Sequence, residues 1–291
     1  MLRLVLPKGS LEEATMQLFE DADLAVTRSS GVGYRASIDD PRVADVRILR
    51  PQEIPRYVAD GLFDVGVTGR DWVEETGADV VTLTELYYSK ATARPVNVVL
   101  AVSGDAPYRG AGDLPSGVRV HTEYPELTRR YFEKHGVDAE ISLSYGATEA
   151  KVPEIADAVV EITETGRALR AAGLKVLDTI LVSHTELIAN PTSHADPERR
   201  KAMEQIQTLL SGALEARGRV LVKLNVEEAR LDDVIALLPA LRSPTVSKLA
   251  GDGGYAVETV VSKAEINTLI PALKERGATG IIELPIAKIV H

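Results

Sequence analysis

The chain has 291 residues, of which 45% are hydrophobic and 26% are charged, as in an ordinary globular protein with a substantial core. Its formal net charge of −10 argues against a broad basic face for nucleic acid, and its lack of cysteine excludes disulfides, thiolate metal sites and cysteine nucleophiles. The opening MLRLVLPKGS has too short an apolar run for a signal peptide or a membrane span, so we expect a cytoplasmic protein of about two domains.

Strand and helix signals alternate along the first part of the chain. LRLVLP is typical of a short strand that ends at Pro7. The next segment, GSLEEATMQLFEDADL, is typical of a helix with Ser10 as N-cap and Glu13 completing a capping box. A short helix between Pro51 and Gly61 is flanked by two strand segments, DVRILR and FDVGVTG. This order predicts parallel βαβ units, and NVVLAV, GVRVHT, AEISLSYG and ADAVVEI continue it.

The rhythm changes at DPERRKAMEQIQTLLSGALEARG, which predicts a long helix from Asp196 to Gly218. Strand and helix segments then follow in the order RVLVKLNV, EEARLDDVIALLPAL, TVSKL, YAVETVVS, AEINTLIPALKERG and GIIELPIAKIV. If TVSKL pairs with YAVETVV, the order is β-α-β-β-α-β, that of a ferredoxin-like domain. We therefore expect a domain boundary near residues 212–218.

The segment EITETGRAL combines residues that suit a phosphate. If DAVVEI is a strand and RALRAAG begins a helix, residues 163–166 form the turn between them, where backbone N–H groups lack helical partners. Gly166 allows close approach of the backbone, the threonines add hydroxyls and Arg167 adds a charge. The alternative is a capped turn whose threonines bond only the local backbone. Upstream, Asp157 and Glu161 share one strand face, and their carboxylates suit sugar hydroxyls or a magnesium ion.

Three regions of the chain resemble one family. GATEAKVPEIADAVVEITETGRALRAAGLKVLDTI is similar to the signature region of ATP phosphoribosyltransferase, the first enzyme of histidine biosynthesis. LVLPKGSL and LRPQEIPRYVADGLFDVGVTGRDWV resemble other parts of the same family. The C-terminal LRSPTVSKLA and VSKAEINTLIPALKERGATGIIELPIAKI resemble the regulatory domain of its long form, so the resemblance extends from residue 1 to 291.

The resemblance implies an α/β fold, with a bilobal core like that of periplasmic binding proteins and a C-terminal ferredoxin-like (ACT-like) regulatory domain. Lobe I would comprise residues 1–96 with 182–211, lobe II 97–181, and the regulatory domain 212–291. The enzyme would be a pentosyl-transferring glycosyltransferase that moves the 5-phosphoribosyl group of phosphoribosyl pyrophosphate to N1 of ATP and requires Mg²⁺. Long forms are dimers that assemble into hexamers, so we expect a homo-oligomer with no nucleic-acid or membrane partner.

The resemblance also implies roles for individual residues. Residues 163–167 would hold the 5-phosphate, and Glu161 would take the ribose hydroxyls or, as the one candidate protein ligand, the metal. Lys8, Arg50 and Glu161 are the catalytic candidates, with Arg50 facing the pyrophosphate. The substrate-binding candidates are Gly9, Arg70, Asp71, Glu149, Asp157, Thr163, Glu164, Thr165, Gly166 and Arg167.

The chain departs from the family pattern at three positions. Glu161 stands where the family commonly has aspartate, which puts a direct hydroxyl contact in question. Ala168 replaces a hydroxyl residue and removes one phosphate donor. Val32 stands where members often carry an arginine, so Arg28 or Arg35 must substitute or the contact is absent.

The regulatory domain would bind free histidine as an inhibitor. The positions that match the inhibitor pocket of long-form members are Asn225, Leu241, Thr245 and Gly280. Asn225 replaces an aspartate of some members, and an amide offers the ligand ammonium only a neutral hydrogen bond. We therefore expect inhibition that is retained but weakened. The alternative is a domain that serves only assembly.

Three other functions fit parts of the pattern. A solute-binding protein would share the bilobal scaffold without chemistry, although the phosphate-type turn counts against it. An amino-acid-sensing regulator would need a DNA-binding element, which neither the charge nor a helix-turn-helix pattern supplies. A different phosphoribosyltransferase would have paired acidic residues before a Thr-Gly-rich loop, and VVEITETG matches that only loosely.

Overall fold

A computed structural model of the chain describes residues 1–28, 33–88, 95–239, 243–251 and 253–291. The chain separates into two compact units, Met1–Gln207 and Thr208–His291. The lobe and domain limits given above are finer than this division and stay predictions. No helix within the described ranges combines the length and the apolar composition that crossing a bilayer requires.

In chain order, the strands of the first unit are β1 (Leu2–Pro7), β2 (Val26–Arg28), β3 (Arg35–Ile38), β4 (Val43–Leu49), β5 (Val65–Gly69), β6 (Val81–Leu86), β7 (Val96–Ser103), β8 (Val118–Thr122), β9 (Ala139–Leu143), β10 (Ala158–Thr163), β11 (Leu174–Ser183) and β12 (Thr185–Ala189). Its α-helices are α1 (Glu12–Asp21), α2 (Ile54–Ala59), α3 (Arg70–Thr76), α4 (Pro125–His135), α5 (Arg167–Ala171), α6 (Pro191–Ala195) and α7 (Pro197–Ala216), which continues into the second unit. Short 3₁₀ turns lie at Ala111–Asp113 and Thr148–Lys151.

These strands form two sheets, one in each lobe. The sheet of lobe I has the order β2-β3-β4-β1-β5-β12-β6, and that of lobe II has the order β11-β7-β10-β8-β9. The chain crosses between the sheets twice, from β6 to β7 and from β11 to β12, which confirms the bilobal α/β core.

The predicted parallel pairing holds for part of each sheet. β1 is parallel to β4 and β5, and β8 is parallel to β9 and β10. β7 runs antiparallel to both β10 and β11, so the prediction is wrong for that strand. The reason is that the strand preceding β7 in the chain belongs to the other sheet, so no strand-helix-strand unit within its own sheet sets the direction of β7.

The predicted capping box on α1 is wrong by one residue. Leu11, not Ser10, occupies the N-cap position. Glu12, not Glu13, reaches back, and its Oε2 accepts a hydrogen bond from the backbone N–H of Gly9 at 3.1 Å. The helix buries one stripe, formed by Thr15, Leu18 and Phe19.

A buried carboxylate ties together the edge of lobe I where the last helices begin. Asp64 is 1% exposed and accepts from the backbone N–H of Arg3 at 2.8 Å, from Ser193 Oγ at 2.7 Å and from an Arg199 guanidinium nitrogen at 3.0 Å. Burial opposes ionisation, but the hydrogen bonds outweigh it and hold the pKa of Asp64 below its usual value.

The second unit is ferredoxin-like, as predicted. Its elements are β13 (Arg219–Glu227), α8 (Leu231–Ile235), β14 (Thr245–Lys248), β15 (Gly254–Ser262), α9 (Ile266–Glu275) and β16 (Thr279–Pro285), with a 3₁₀ turn at Glu228–Arg230. The sheet order is β14-β15-β13-β16, with antiparallel neighbours throughout. Val222, Leu224 and Val226 of β13 are buried in a core with α8 and α9, while Ile282 and Leu284 are exposed.

Candidate active site

The carboxyl ends of parallel strands gather the predicted cationic residues of lobe I. Lys8, Arg50 and Arg70 directly follow β1, β4 and β5, which are neighbours in the sheet. Lys8 Nζ lies 4.3 Å from the centre of the Tyr34 ring. Arg70 begins α3 and is near Glu74, at 3.8 Å. The three cations therefore share the sheet edge at which α/β proteins bind ligands.

The two arginines proposed as substitutes for the family arginine, Arg28 and Arg35, lie on neighbouring strands of lobe I. Arg28 forms an ion pair with Glu12. The Glu12 carboxylate also accepts a hydrogen bond from the backbone N–H of Gly9. Arg35 lies on β3 and is exposed. Val32 lies outside the described residues.

The turn at residues 163–166 forms between β10 and α5, as predicted. Gly166 has φ +69°, and its backbone N–H donates to Thr163 Oγ1 at 2.7 Å. The Thr163 hydroxyl is therefore held by the local backbone, which is what the capped-turn alternative describes. Thr165 and Arg167 are exposed.

Arg170 is a residue of this turn that sequence reasoning missed. One of its guanidinium nitrogens donates to the Thr165 carbonyl at 2.8 Å, and the other lies 2.8 Å from where a Cβ on Gly166 would stand. Its position was visible in the sequence, because Arg170 is four residues, about one helical turn, after Gly166 and so lies on the same side of the helix. Because α5 has only five residues, its helix dipole is weak. An anion at this turn would be attracted mainly by the local backbone N–H groups and by the guanidiniums of Arg167 and Arg170.

A group of carboxylates lies beside the turn, at Glu161, Glu149 and Glu123. Burial raises the pKa of Glu161, and the charges of Glu123 and Glu149 raise it further, whereas hydrogen bonds from Ile162 N–H and the Thr148 hydroxyl oppose the shift. The structure thus brings the predicted residues Glu149 and Glu161 into one electrostatic neighbourhood.

These carboxylates do not form a protein metal site. In the described part of the chain, no three or more His, Asp or Glu side chains have the spacing that would hold a metal ion. Magnesium binds at many phosphate sites through one or two carboxylates together with the substrate phosphates, and Glu161 suits that arrangement.

Asp157 is not part of this site, which corrects the prediction. It precedes β10, whereas the turn follows it, so the two are about 20 Å apart at ~3.3 Å per residue. Its carboxylate binds Arg119 through the backbone N–H at 3.0 Å and the guanidinium at 2.7 Å. Even spacing correctly put Asp157 and Glu161 on one face, but at opposite ends of the strand.

Asp71 is buried at the junction of the lobes, with its carboxylate bonded to protein groups. Oδ2 accepts from the Tyr124 hydroxyl and Oδ1 from the Ser183 hydroxyl, both at 2.7 Å. Burial raises the pKa of Asp71, and these hydrogen bonds oppose the rise. Tyr124 is 1% exposed, and its ring lies 4.6 Å from that of Trp72, so this tyrosine is packed in the core.

A cavity of about 300 Å³ lies next to Asp71 and the phosphate-type turn. Thr163 and Glu164 line one part of it, and Asp71 and Ser183 line another. The remaining wall is largely apolar and aromatic and includes Leu11, Trp72, Leu86, Tyr87, Tyr88, Ile162 and His184. The volume is at the lower end of the range typical of small-molecule sites, about 300–1,000 Å³.

The predicted histidine-binding residues of the second unit are only partly brought together. A Cβ on Gly280 would stand 3.4 Å from Asn225 Nδ2, so these two are neighbours. Thr245 lies on the far edge strand, two strands (about 10 Å) from that of Asn225 and three (about 14 Å) from that of Gly280 at ~4.8 Å per strand. It lines a groove with Leu221, Ser243, Glu258 and Val260. Leu241 lies outside the described residues.

Comparison with known proteins identifies the family. The family model described as ATP phosphoribosyltransferase (HisG) matches residues 50–212, and that of the HisG C-terminal domain matches residues 216–288. Proteins named ATP phosphoribosyltransferase from Pelotomaculum thermopropionicum and Solibacter usitatus are 46% and 47% identical, over 99% and 100% of this chain and 99% of each relative.

A solved structure adds to this comparison. The ATP phosphoribosyl transferase (HisG:HisZ) complex from Thermotoga maritima contains a chain that aligns with a TM-score of 0.60 and 29% identity, covering 72% of this chain and 98% of that one. A family model over more than half of the chain and full-length relatives agree with it. The chain belongs to the ATP phosphoribosyltransferase family, whose enzymes catalyse the first step of histidine biosynthesis.

Proposed function

We propose how the residues of this chain divide the work of joining ATP to phosphoribosyl pyrophosphate. The observation that carries the proposal is the turn at 163–166, where Gly166 at positive φ and Arg170 meet. Thr165, Arg167, Arg170 and the backbone N–H groups of the turn bind the 5-phosphate of the sugar. Thr163 holds the turn in shape through its bond from Gly166 rather than binding phosphate.

Glu161 and Glu149 act on the ribose side of the same substrate. An ionised carboxylate accepts hydrogen bonds from hydroxyl groups, and Glu161 and Glu149 are close enough for their charges to interact. The longer side chain of Glu161, compared with aspartate, reaches the ribose hydroxyls or a substrate-bound metal with one extra methylene.

Lys8, Arg50 and Arg70 act on the leaving group and on the ATP phosphates. Adenine N1 is already an unprotonated nucleophile at neutral pH, so the reaction needs alignment and charge neutralisation more than general acid–base catalysis. The shared sheet edge of these three cations supports this assignment. Gly9 leaves room for phosphate beside them, because a Cβ there would meet nothing within 4 Å.

The adenine base enters the apolar cavity beside Thr163 and Glu164. Its volume of about 300 Å³ and its aromatic lining, which includes Trp72, Tyr87 and Tyr88, suit a flat heterocycle. In this arrangement the base and the sugar approach each other next to the phosphate-binding turn.

Magnesium accompanies the substrates in this proposal. When bound, Mg²⁺ neutralises phosphate charge on the leaving group, and Glu161 is the residue of this chain that would contact it. In this proposal the enzyme works in the cytoplasm.

The second unit binds free histidine and lowers the rate of the first. The groove of about 510 Å³ at Thr245 and the neighbouring pair Asn225 and Gly280 supply polar groups on the same ferredoxin-like sheet. Within one copy, the groove at Thr245 and the pair Asn225 and Gly280 lie on different strands of the sheet. Assembly into dimers and hexamers would bring the groove of one copy next to the Asn225 and Gly280 pair of another. The chain is therefore proposed to act as a homo-oligomer.

Titration of phosphoribosyl pyrophosphate by calorimetry tests the phosphate assignment. Arg170→Ala and Thr165→Ala should each weaken binding, the former by about 10- to 100-fold because it removes a charge-assisted hydrogen bond. Arg129→Ala is the matched control, since Arg129 is exposed on α4 and pairs with Glu126. Unchanged affinity in both turn variants would contradict the assignment.

A further inference from the structure

A carboxylate with no role so far, that of Glu75, joins the two lobes where α3 meets α4. Its Oε1 accepts from the backbone N–H of Glu126 at 3.0 Å, and its Oε2 accepts from that of Leu127 at 2.8 Å. These are the second and third residues of α4, the N–H groups that an N-cap side chain ordinarily satisfies. Glu75 belongs to α3 of lobe I, so lobe I supplies the cap for a helix of lobe II.

α4 has no cap of its own in the described structure. Its N-cap residue, Tyr124, makes no side-chain bond to the helix, because its hydroxyl donates to Asp71 instead. Pro125 follows and has no N–H to satisfy. The first donors of α4 therefore depend on Glu75, and an anion at this end also suits the helix dipole.

Other contacts run along the same side of α3. The Trp72 and Tyr124 rings are 4.6 Å apart, and an Arg130 guanidinium nitrogen donates to the Glu74 carbonyl. With Asp71 and Glu75, these residues span more than one turn of α3, so the contact resists rotation as well as separation.

The capped end of α4 is firmly connected to the phosphate-type turn. β8 ends at Thr122, whose Oγ1 accepts from the Tyr124 N–H at 2.9 Å, and β8 pairs in parallel with β10. β10 leads directly into the turn at residues 163–166. A displacement of α4 would thus move the turn relative to Lys8 and Arg50, which belong to lobe I.

We propose that Glu75 is a positioning residue for the reaction: by capping α4 from lobe I, it fixes the phosphate-binding turn of lobe II relative to the cations of lobe I. The inference rests on the proposed role of that turn. Alignment of N1 with the anomeric carbon needs both lobes, whereas binding of the 5-phosphate needs lobe II alone. Loss of the cap should therefore lower kcat by a larger factor than it raises the KM for phosphoribosyl pyrophosphate, because the 5-phosphate contacts of lobe II stay in place.

Steady-state kinetics of three variants test this split. Glu75→Ala should lower kcat by about 10- to 100-fold, the effect of a small misplacement of reacting groups. Glu75→Gln should recover part of the rate, because its amide oxygen still accepts a hydrogen bond. The control is Glu133→Gln, which removes a charge from an exposed position of α4 outside the contact. Wild-type kcat in Glu75→Ala would overturn the proposal, and if that variant does not fold, wild-type kcat in Glu75→Gln would do so.

Distances between the lobes provide the second readout. The chain has no native cysteine, so spin labels can be placed on Asp39→Cys and Ser116→Cys, both at exposed positions. Diluting labelled chains with unlabelled ones removes distances between copies of a homo-oligomer, so the remaining signal reports the separation of lobe I and lobe II. Glu75→Ala should broaden or shift the distance distribution measured by electron–electron double resonance. A lower kcat with an unchanged distribution would overturn positioning as its cause. Failure of the phosphate assignment would appear elsewhere, as unchanged substrate affinity in the Thr165 and Arg170 variants.

Discussion

The hydroxyl of Tyr124 donates a 2.7 Å hydrogen bond to the carboxylate of Asp71, although the two residues belong to different lobes and lie 53 positions apart in the chain. Asp71 is 4% exposed, and Ser183, from the strand that leads back to lobe I, donates to its other oxygen. One buried carboxylate thus joins lobe I, lobe II and the connection between them.

Tyr124→Phe should destabilise the first unit by about 1.5–3 kcal/mol at neutral pH, because it leaves a buried acceptor with one donor fewer. The pKa of Asp71 is raised above its ordinary value of 3.8, so the folded state holds its proton more tightly than the unfolded state. Its contribution to stability is present below that ordinary value and is lost as pH rises through the folded pKa. The variant should raise this pKa further, so its loss of stability should be larger at pH 7 than in acid.

Urea unfolding followed by fluorescence measures this effect, since Trp72 is the single tryptophan and stacks on Tyr124. Tyr57→Phe, at a hydroxyl that bonds Glu53 at the surface, is the matched control and should cost little. An equal loss of unfolding free energy in both variants would show that the buried Tyr124–Asp71 hydrogen bond stabilises the protein no more than the exposed one does.

Gly166→Ala should impair substrate binding by strain in the phosphate-type turn. Alanine at φ +69° costs about 1–2 kcal/mol, and its Cβ would stand 2.8 Å from an Arg170 nitrogen, which must move away. We expect the KM for phosphoribosyl pyrophosphate to rise about 10-fold or more. Gly117→Ala is the control, with φ +77° and no atom within 4 Å of its Cβ. It should lose comparable stability but keep the KM; a matching rise in KM would contradict the account.

Asp64→Asn should destabilise lobe I by about 2–3 kcal/mol, somewhat less than the ~3–5 kcal/mol of a fully buried pair, because the Arg3 and Arg199 guanidiniums are nearly half exposed. Since the pKa of Asp64 is lowered on folding, its stabilisation is present above the unfolded value and is lost as pH falls through the folded value. The difference between wild type and variant should therefore shrink in acid.

Thermal unfolding at a series of pH values checks the Asp64 prediction. The matched control is Asp45→Asn, whose carboxylate is 38% exposed and pairs with Arg47 two residues away. That pair should contribute no more than about 1 kcal/mol. A pH-independent difference for Asp64→Asn would indicate that packing, not charge, accounts for its effect.

Asn225→Asp should strengthen inhibition by histidine. A carboxylate beside Gly280 would attract the ligand ammonium, and the gain of about 1 kcal/mol corresponds to a five- to tenfold lower inhibition constant. Asn267→Asp, the same change at an exposed position of α9, should leave inhibition as it is. An unchanged inhibition constant in Asn225→Asp would contradict the proposal that Asn225 contacts the bound histidine.

Much of the fold could be predicted because its signals are local. Apolar runs separated by helix-sized segments give the strand and helix order of both units, and TVSKL pairs with YAVETVV as the pattern requires. The direction of β7 could not be predicted, because it depends on a crossing between sheets. Asp157 was misassigned because periodicity defines the face of a strand and not which end meets the ligand.

The parts of the site that sequence reasoning missed depend on long-range contacts. The partners of Asp71 lie 53 and 112 positions away, and the donors to Glu75 lie 51 and 52 positions away. No local pattern distinguishes such a buried or capping carboxylate from a solvated one. Arg170 is the exception, since its i+4 spacing from Gly166 was visible in the sequence.

The most direct test of the account is product formation by the pure protein with ATP, phosphoribosyl pyrophosphate and Mg²⁺, with pyrophosphatase present and histidine varied. We expect phosphoribosyl-ATP to form, and its rate to fall as histidine rises. Product formation that is indifferent to histidine would contradict the role proposed for Asn225 and Thr245. No product, with both substrates still bound, would contradict the central claim and favour a binding protein on the same two-lobed scaffold.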